Sequence, residues 1–320
     1  ARLLGLSEIG VFLKLGIPII RPAAIGGLML VIMETLSDFG AVDHFAIQTF
    51  TTGIFRTWYG MYDLQTAMQL ASLLLIIVGL FFILERNSRN SAAFTANNSS
   101  FINEKEAKLS AIKSFGAFLV CFIPIFIGFI LPISELIFWS FESESTFFNQ
   151  NFIQTSFNTI SLAIVAGLIS ALIALLINFS IRLKPGSSIR RFSSLLSIGY
   201  AVPGLILAVG IVQLLIYVDS NFLDSTDVVL TGSIFGLLLA YIIKSYALAN
   251  SSIESGYERI TTSIDDAAKI LGSSGWNMLS RVHSPLMKTS FLTAILLVMS
   301  EVVKELPATL ILRPFNFETL

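Results

Sequence analysis

The stretch at 265–272 reads Asp265-Asp266-Ala267-Ala268-Lys269-Ile270-Leu271-Gly272, and Pro285 follows thirteen residues after its glycine. A related stretch, Ala1-Arg2-Leu3-Leu4-Gly5, opens the sequence and again has a proline thirteen residues on, Pro18. Adding 267 to an opening position gives its counterpart near the end. The charged pairs related in this way are Arg2 and Lys269, Lys14 and Arg281, Arg21 and Lys288, Glu34 and Glu301, and Asp38 and Glu305. This shared register indicates an internal repeat.

The repeated motif is polar and carries small residues at helical spacing. Ala268 and Gly272 are four positions apart, so on a helix they would share one face. A face of such small side chains lets another surface approach the backbone closely. Pro18 and Pro285 then indicate where a short polar helix ends and a long apolar helix begins. The motif therefore predicts a short docking helix before a membrane span.

Composition places the chain in a membrane. Hydrophobic residues make up 54% and charged residues 13%, with a mean hydropathy of +0.80, far from a soluble globular domain. Seven apolar runs approach the ~20 residues that a spanning helix needs, at 19–37, 64–84, 114–140, 152–180, 193–218, 229–250 and 287–305. Alternating ten-residue strand patterns are absent from the sequence, so we predict an all-α, polytopic transmembrane helix bundle within the lipid bilayer.

Charge and cysteine content exclude some classes of function. The net charge of −1 gives no indication of a nucleic-acid partner. Cys121 is the single cysteine, so a disulfide framework is excluded, and its apolar run suggests a packing role. The sequence has no Gly-x4-Gly-Lys-Ser/Thr phosphate loop, so the chain is expected to bind no ATP by that route and no cofactor of its own.

The distribution of Lys and Arg predicts the orientation of the helices. With the segment before Pro18 assigned to the cytoplasm and the sides alternating, the cytoplasmic stretches hold 16 of the 20 basic residues. Both copies of the motif then face the cytoplasm. Each copy precedes an outward-going helix, so the two repeats are parallel, related by a pseudo-two-fold axis along the membrane normal. A substrate path would lie on that axis.

The repeat also predicts a division of the chain. Residues 1–84 form the C-terminal part of a first half, with a cytoplasmic helix and two spans. Residues 85–113 are rich in Asn, Ser and charge and are expected to be a cytoplasmic linker. Residues 114–320 form a second half with five spans and a cytoplasmic helix at about 258–284. Because the first motif copy lacks its leading residues, we expect a piece of a longer polypeptide, with earlier helices and a final helix missing.

Prolines interrupt two of the predicted spans. Pro124 and Pro132 lie within 114–140, and Pro203-Gly204 lies within 193–218. Membrane helices tolerate such breaks where neighbours or a cavity satisfy the freed backbone groups. A packing kink and a functional hinge both remain open. Tyr200, a polar residue beside the second break, favours a hinge there as much as a kink.

The two motif copies resemble the signature of the permease subunits of type I ATP-binding-cassette importers, Glu-Ala-Ala-x3-Gly-x9-Ile-x-Leu-Pro. The second copy matches at Asp266, Ala267, Ala268, Gly272, Val282, Ser284 and Pro285, and the first at Ala1, Gly5, Leu15, Ile17 and Pro18. Asp replaces Glu, Val replaces Ile, and Ser284 stands where an apolar residue is usual. The resemblance implies a MetI-like fold in two parallel repeats. It also implies that these residues form coupling helices that dock on a cytoplasmic ATPase dimer, which binds the ATP.

Four further stretches resemble the fused ferric-iron permeases of bacteria: Leu36–Val42, Gln48–Arg56, Gly199–Gly204 and Glu305–Phe315. That resemblance implies a multi-pass protein of the bacterial inner membrane that receives Fe(III) from a periplasmic binding protein. It also implies that the chain is a transport subunit and not an enzyme. Permeases for thiamine, phosphonates or polyamines are similar enough to stay open.

Carboxylates within the predicted spans are candidates for the translocation path. Glu34 and Asp38 are spaced i, i+4, and Glu301 and Glu305 repeat that spacing. Carboxylates in a span are costly unless they face protein or water, and hard oxygen ligands suit a hard trivalent cation. We hypothesise that these four line the outer mouth of the path. The alternative is that Glu301 pairs with Lys304 and anchors its helix end.

Other polar residues give weaker signals. His44 and His283 lack metal-ligand spacing to another His or Cys, which favours solvated or packing roles and no firm metal site. Arg56, Trp58 and Tyr59 are candidates for the outer surface where a binding protein docks, although Trp and Tyr also populate membrane interfaces. A secondary transporter would also use repeats and intramembrane acids, but it needs no cytoplasmic docking helices. A membrane enzyme would need a catalytic cluster that the sequence does not show.

Overall fold

The computed structural model describes residues 8–90, 110–142, 150–184, 186, 188–223 and 228–319. Ala1 and Gly5, the first-copy motif residues, lie outside this part of the chain. Every regular element within it is a helix, which confirms the predicted all-α class.

The α-helices are α1 Glu8–Val11, α2 Ile17–Ser37, α3 Gly40–His44, α4 Phe50–Phe55, α5 Leu64–Asn90, α6 Ala111–Ile125, α7 Leu131–Glu142, α8 Gln150–Leu183, α9 Ser188–Leu196, α10 Gly204–Phe222, α11 Ile234–Glu258, α12 Thr262–Ile270, α13 Gly275–Met278, α14 Ser284–Leu286, α15 Lys288–Val303 and α16 Pro307–Leu312. Single π-helical turns occupy Phe12–Gly16, Arg56–Gly60, Phe126–Ile130 and Leu279–His283, and a 3₁₀ turn occupies Ser197–Ala201. Helix α5 ends at Asn90, so it runs beyond the predicted start of the linker at 85.

Five of the described helices are long and apolar enough to cross a membrane, and a bent pair raises the number to six. The five are Leu64–Phe81 within α5, Ala111–Glu142, α8, α10 and α11. Seven spans were predicted. The predicted span 287–305 is only 16 residues long as α15, and it reaches spanning length only with Gly275–Leu286, at a bend of 76°. The span predicted at 19–37 corresponds to α2, a continuous helix of 21 residues.

The chain divides into two compact units. The smaller, Phe94–Ile153, contains α6 and α7, whose side chains are almost all exposed. Pro124 lies inside α6, just before the π turn Phe126–Ile130 that joins α6 to α7. Cys121 is exposed on α6, so the packing role expected for it is not seen in this unit.

The larger unit comprises Ala1–Ala93 and Gln154–Leu320. Its core is built on small residues of α8, where Ala163, Ala166, Ala171 and Ala174 are fully buried. Their spacing of three to five residues puts them on one face, which lets neighbouring helices approach closely, as in many membrane bundles. Helix α11 packs along α15, and α2 packs along α5. These contacts hold α2 and α15, the two repeated helices, within a single core.

The internal repeat is visible in the element order. The π turn Phe12–Gly16 precedes α2, and the π turn Leu279–His283 lies 267 positions later in the same register. Pro18 lies in the first turn of the long helix α2, as the sequence predicted, whereas Pro285 lies in the three-residue helix α14 and not at the start of a long one. The copies differ beyond that point, because α2 continues from Pro18 whereas α15 begins only after a break at Met287.

Candidate functional site

A cavity of about 400 Å³ lies where the two repeated helices end. All four carboxylates predicted for the path line it: Glu34, Asp38, Glu301 and Glu305. Residues distant in sequence thus lie around one space.

The helix ends position these acids. Glu34 lies in the last turn of α2, which ends at Ser37, and Asp38 follows with extended backbone at ψ 133°. Glu301 lies in the last turn of α15, and Glu305 follows in the short connection to α16. A Cβ on Gly40 would stand 3.2 Å from the Leu306 side chain, so the two repeats meet closely beside the cavity.

Lys304 connects the acids of the two repeats. Its ammonium group lies 3.0 Å from Glu34 Oε1 and 2.9 Å from Glu301 Oε2. The Glu301 side chain is only 7% exposed, whereas those of Glu34 and Lys304 are 60% and 52% exposed. Glu301 therefore both pairs with Lys304, which was the predicted alternative, and lines the cavity. An exposed pair such as Lys304 and Glu34 stabilises a protein by about 0–1 kcal/mol.

A second ion pair is buried deeper in the cavity wall. Lys244 of α11 donates to Glu305, and the two side chains are 10% and 5% exposed. Glu305 also accepts a hydrogen bond from the backbone N–H of Ala308 at 3.3 Å. Its backbone carbonyl accepts from the Thr309 hydroxyl, which in turn bonds Tyr241. Because breaking a buried pair leaves an unpaired charge, removal of one partner costs ~3–5 kcal/mol.

The Pro203-Gly204 break makes room for this pair. Tyr200, in the 3₁₀ turn before the break, lines the cavity, and α10 begins at Gly204. A Cβ on Gly204 would stand 2.0 Å from Glu305 Oε1 and 3.3 Å from Lys244 Nζ. The break therefore lets the carboxylate approach the first turn of a helix, where partial positive charge stabilises anions.

The cavity carries more negative than positive charge. Its lining has the four carboxylates and two lysines, Lys244 and Lys304. Sequence reasoning noted both lysines without assigning them to the site. The 267-residue register does not indicate either lysine as a site residue. The counterpart of Lys244 would precede Ala1, and the counterpart of Lys304 is Ser37. Because four carboxylates outnumber two ammonium groups, the lining has a net negative charge, which favours a cationic ligand over an anionic one.

The two histidines lie away from this cavity. His44 is exposed and its ring contacts Phe45. His283 is fully buried between Phe179 and Tyr257. The part of the chain that the structure describes holds no group of three or more His, Cys, Asp or Glu arranged to bind a metal. His44 is thus exposed and His283 is packed among aromatic rings, which are the surroundings that the sequence favoured for them.

The second region of interest is the motif segment, and here one prediction was wrong. Helix α12 ends at Ile270, and Gly272 adopts a left-handed φ of 80°. The Gly272 N–H donates to Lys269 O and the Ser273 N–H to Ala268 O, each at 2.9 Å. These two bonds form a Schellman motif, which ends the helix and favours glycine at this position. Gly272 therefore does not share a helical face with Ala268.

Ala268 itself faces inward. Its side chain is 6% exposed and belongs to the core of this chain, so it offers no surface to a partner. The exposed side of the segment includes Asp266, Ala267 and Gly272, and Pro285 further along is exposed as well. Large apolar side chains also point outward there: Ile270 is 86%, Leu271 85% and Trp276 71% exposed. We call the segment 262–278, which contains them, the docking segment.

Sequence reasoning missed a polar network among the membrane helices. Asn250 Oδ1 on α11 accepts a hydrogen bond of 2.8 Å from Asn178 on α8 and one of 3.3 Å from Ser193 on α9. Tyr246 bonds Ser193 at 2.9 Å. Such bonds join helices within lipid. Isolated Asn and Ser in apolar runs give no spacing that would indicate which of them meet.

No family model matches the chain. A Fe(3+)-transport system permease protein, FbpB 2 of Haemophilus influenzae, is 27% identical over 99% of this chain and 62% of its own length. The chain is related to transport permeases. A putative ferric transport system permease protein, FbpB 1 of the same organism, is 22% identical over 89% of the chain and 46% of its own length.

A shorter match is to a permease that is named for a different cargo. The putative 2-aminoethylphosphonate transport system permease protein PhnV of Salmonella typhimurium is 31% identical over 28% of this chain and 34% of its own length. The chain spans about half to three fifths of the length of the two ferric permeases. Together with five or six spanning helices, these relatives support a multi-pass protein of the inner membrane.

Proposed function

We propose that this chain is part of the permease of an ATP-binding-cassette importer that moves ferric iron into the cytoplasm. The cargo arrives from a periplasmic binding protein, and a separate ATPase dimer hydrolyses ATP. The observation that carries the proposal is the convergence of Glu34, Asp38, Glu301 and Glu305 on one cavity. Similarity to a ferric permease along 99% of the chain supports the same reading.

The chemistry of the cavity favours a hard cation. Carboxylate oxygens are hard ligands, and four of them from two repeated helices surround the space. A phosphonate cargo is favoured by the similarity to PhnV, but a phosphonate group is anionic and the carboxylates would repel it. Thiamine and polyamines, which are cationic, are separated from iron only by experiment.

The docking segment supports the ATPase partner. Three large apolar side chains, Ile270, Leu271 and Trp276, are exposed on a short polar segment. The distribution of Lys and Arg along the sequence favours the cytoplasmic side for this segment. Apolar anchors surrounded by polar residues are typical of protein interfaces. The proposed interface therefore consists of these three exposed apolar side chains, in place of the small-residue face that the motif suggested.

Uptake of radiolabelled iron tests the cargo and the site together. In cells that depend on this permease, we expect Glu34→Gln and Glu301→Gln each to lower ⁵⁵Fe(III) uptake, because each removes one carboxylate from the cavity. Glu135→Gln is the matched control, since Glu135 is exposed on α7 and does not line the cavity. Normal uptake in both cavity variants would contradict a role for the cavity in iron transport.

A second experiment separates the importer from an ion-driven carrier. Inactivation of the partner ATPase should abolish uptake in an importer, whereas uptake by a secondary carrier would persist.

Leu271→Ser with Trp276→Ser should release the ATPase from purified membranes, because the two changes remove exposed apolar anchors. Retention of the ATPase by that double variant would argue against the docking segment as its binding surface.

A further inference from the structure

Arg182, at the end of α8, is bound to the first turn of the docking segment and to the residues that precede it. Its Nε donates to Asp265 Oδ2 of α12 at 2.6 Å. Its Nη1 donates to the carbonyl of Tyr257 at 3.0 Å. Its Nη2 donates to the carbonyls of Ile260 at 2.7 Å and Thr261 at 3.1 Å. One guanidinium group thus makes four hydrogen bonds to the corner between α11 and α12.

This corner is short, and Arg182 occupies most of its backbone acceptors. Helix α11 ends at Glu258 and α12 begins at Thr262, so only residues 259–261 separate them. Two of those three carbonyls, together with the last-turn carbonyl of Tyr257, bind the guanidinium. The planar guanidinium has five N–H donors that point in different directions, so it can bind several acceptors at once. A lysine ammonium is a single compact group and cannot reach the same acceptors together.

The surroundings bury most of this cluster. The Arg182 and Asp265 side chains are 16% and 14% exposed. The guanidinium carbon lies 5.6 Å from the centre of the Tyr257 ring. His283 is fully buried beside it, with Nε2 3.4 Å from Asp265 Oδ1. A charge pair held at this depth is costly to break from one side.

We propose that Arg182 is a positioning residue that transmits the movement of the docking segment to α8 and α11. This inference rests on the proposed function, because it assumes that an ATPase moves the docking segment. The bonds of Arg182 tie α12, the α11 end and the α8 end into one rigid corner. Without them α12 keeps its place in the chain but gains freedom relative to α8.

The 267-residue register does not reproduce this cluster at His283, because its counterpart Gly16 has no side chain to fill the same space. The positioning role therefore does not follow from the repeated motif. It follows from contacts between α8, α11 and α12 that lie 75 to 83 positions apart in sequence.

The test uses the complete transporter reconstituted in proteoliposomes with its ATPase and binding protein. For Arg182→Gln we expect ATP hydrolysis to continue while cargo moved per ATP falls roughly fivefold or more, as for loss of a typical coupling free energy. Lys184→Gln is the matched control, because Lys184 is exposed two residues along and makes none of these bonds. Arg182→Lys should give an intermediate ratio, since it keeps the charge but not the fork.

Hydrogen exchange supplies a local measurement that needs no transport. In Arg182→Gln, the amides of 262–270 should exchange on the order of tenfold faster while those of the α8 core stay protected. Unchanged exchange in 262–270, or an unchanged ratio of cargo to ATP in a folded Arg182→Gln protein, overturns the inference. If Arg182→Gln does not fold, the same two measurements on Arg182→Lys decide it. Absence of ATP-driven uptake in the wild type would instead overturn the proposed function.

Discussion

Lys304 donates a hydrogen bond of 3.0 Å to Glu34, a residue 270 positions earlier in the chain. The same ammonium group binds Glu301, the repeat counterpart of Glu34, at 2.9 Å. One cation therefore joins the equivalent acids of the two repeats at the rim of the cavity. The pair is asymmetric in burial, since Glu301 is far less exposed than Glu34.

This asymmetry predicts unequal effects of substitution. Glu34→Gln should change the free energy of unfolding by less than about 1 kcal/mol, because its ion pair is solvent-exposed. Lys304→Gln should cost about 1–3 kcal/mol, since the more buried Glu301 loses its cation. Thermal unfolding in detergent measures both. Equal losses in the two variants would show that burial of Glu301 does not set the cost.

The buried pair of Lys244 and Glu305 should be more sensitive. Lys244→Met and Glu305→Gln should each lower the free energy of unfolding by ~3–5 kcal/mol, because each leaves one buried charge without its partner. The double variant should be less destabilised than the sum of the two, since no unpaired charge remains. Additive losses would mean that the two side chains do not interact in the membrane protein.

Gly204 should tolerate no side chain while Glu305 is present. A methyl group at Gly204 would overlap Glu305 Oε1, so Gly204→Ala should destabilise the protein and displace the Lys244 pair. Gly210→Ala on the same helix is the control, because nothing lies within 4 Å of its added Cβ. That control should be neutral or stabilising by up to ~1 kcal/mol. Combination with Glu305→Ala should remove the penalty of Gly204→Ala, and a penalty that persists would contradict the overlap.

The carboxyl group of Asp63, which lies outside the membrane helices, should make the stability of the protein depend on pH. Hydrogen bonds from the Thr66 hydroxyl at 2.5 Å and the Thr66 N–H at 3.0 Å lower the pKa of the Asp63 carboxyl. Because the folded-state pKa is lowered, the ionised carboxylate stabilises the fold at pH values above the unfolded-state pKa of about 3.9. This stabilisation is lost as the pH falls below that value and through the folded-state pKa. The stability difference between wild type and Asp63→Asn should therefore shrink from pH 7 to pH 3. Thr66→Val, which removes one donor, should show the same trend with a smaller change.

The carboxylates of the cavity could be predicted from sequence because their spacing recurs in both copies of the repeat. The i, i+4 spacing and the 267-residue register both selected Glu34, Asp38, Glu301 and Glu305, and the cost of charge in lipid indicated a polar surround. The partners of these acids could not be predicted in the same way. Lys244 reaches Glu305 from another helix, and that contact depends on how α11 packs on α15, which periodicity does not specify.

The motif segment shows the opposite case. Its location before a long apolar helix was predicted, but the predicted face was wrong, because spacing alone assumed that the helix continues through Gly272. Gly272 ends the helix instead, and its left-handed φ is the conformation for which glycine is suited. The burial of Ala268 depends on contacts within this chain that no local pattern reveals. The exposed Ile270 and Leu271 were visible in the sequence, but an apolar pair in a short helix usually indicates a buried face.

The paired π turns at Phe12–Gly16 and Leu279–His283 bear on the history of the molecule. A π turn is an α-helix with one extra residue, and such a residue is costly to accommodate. Two separate acquisitions would have to fall by chance at the same place in both copies. Inheritance from a single ancestral unit that already carried the extra residue, and was duplicated afterwards, requires only one event.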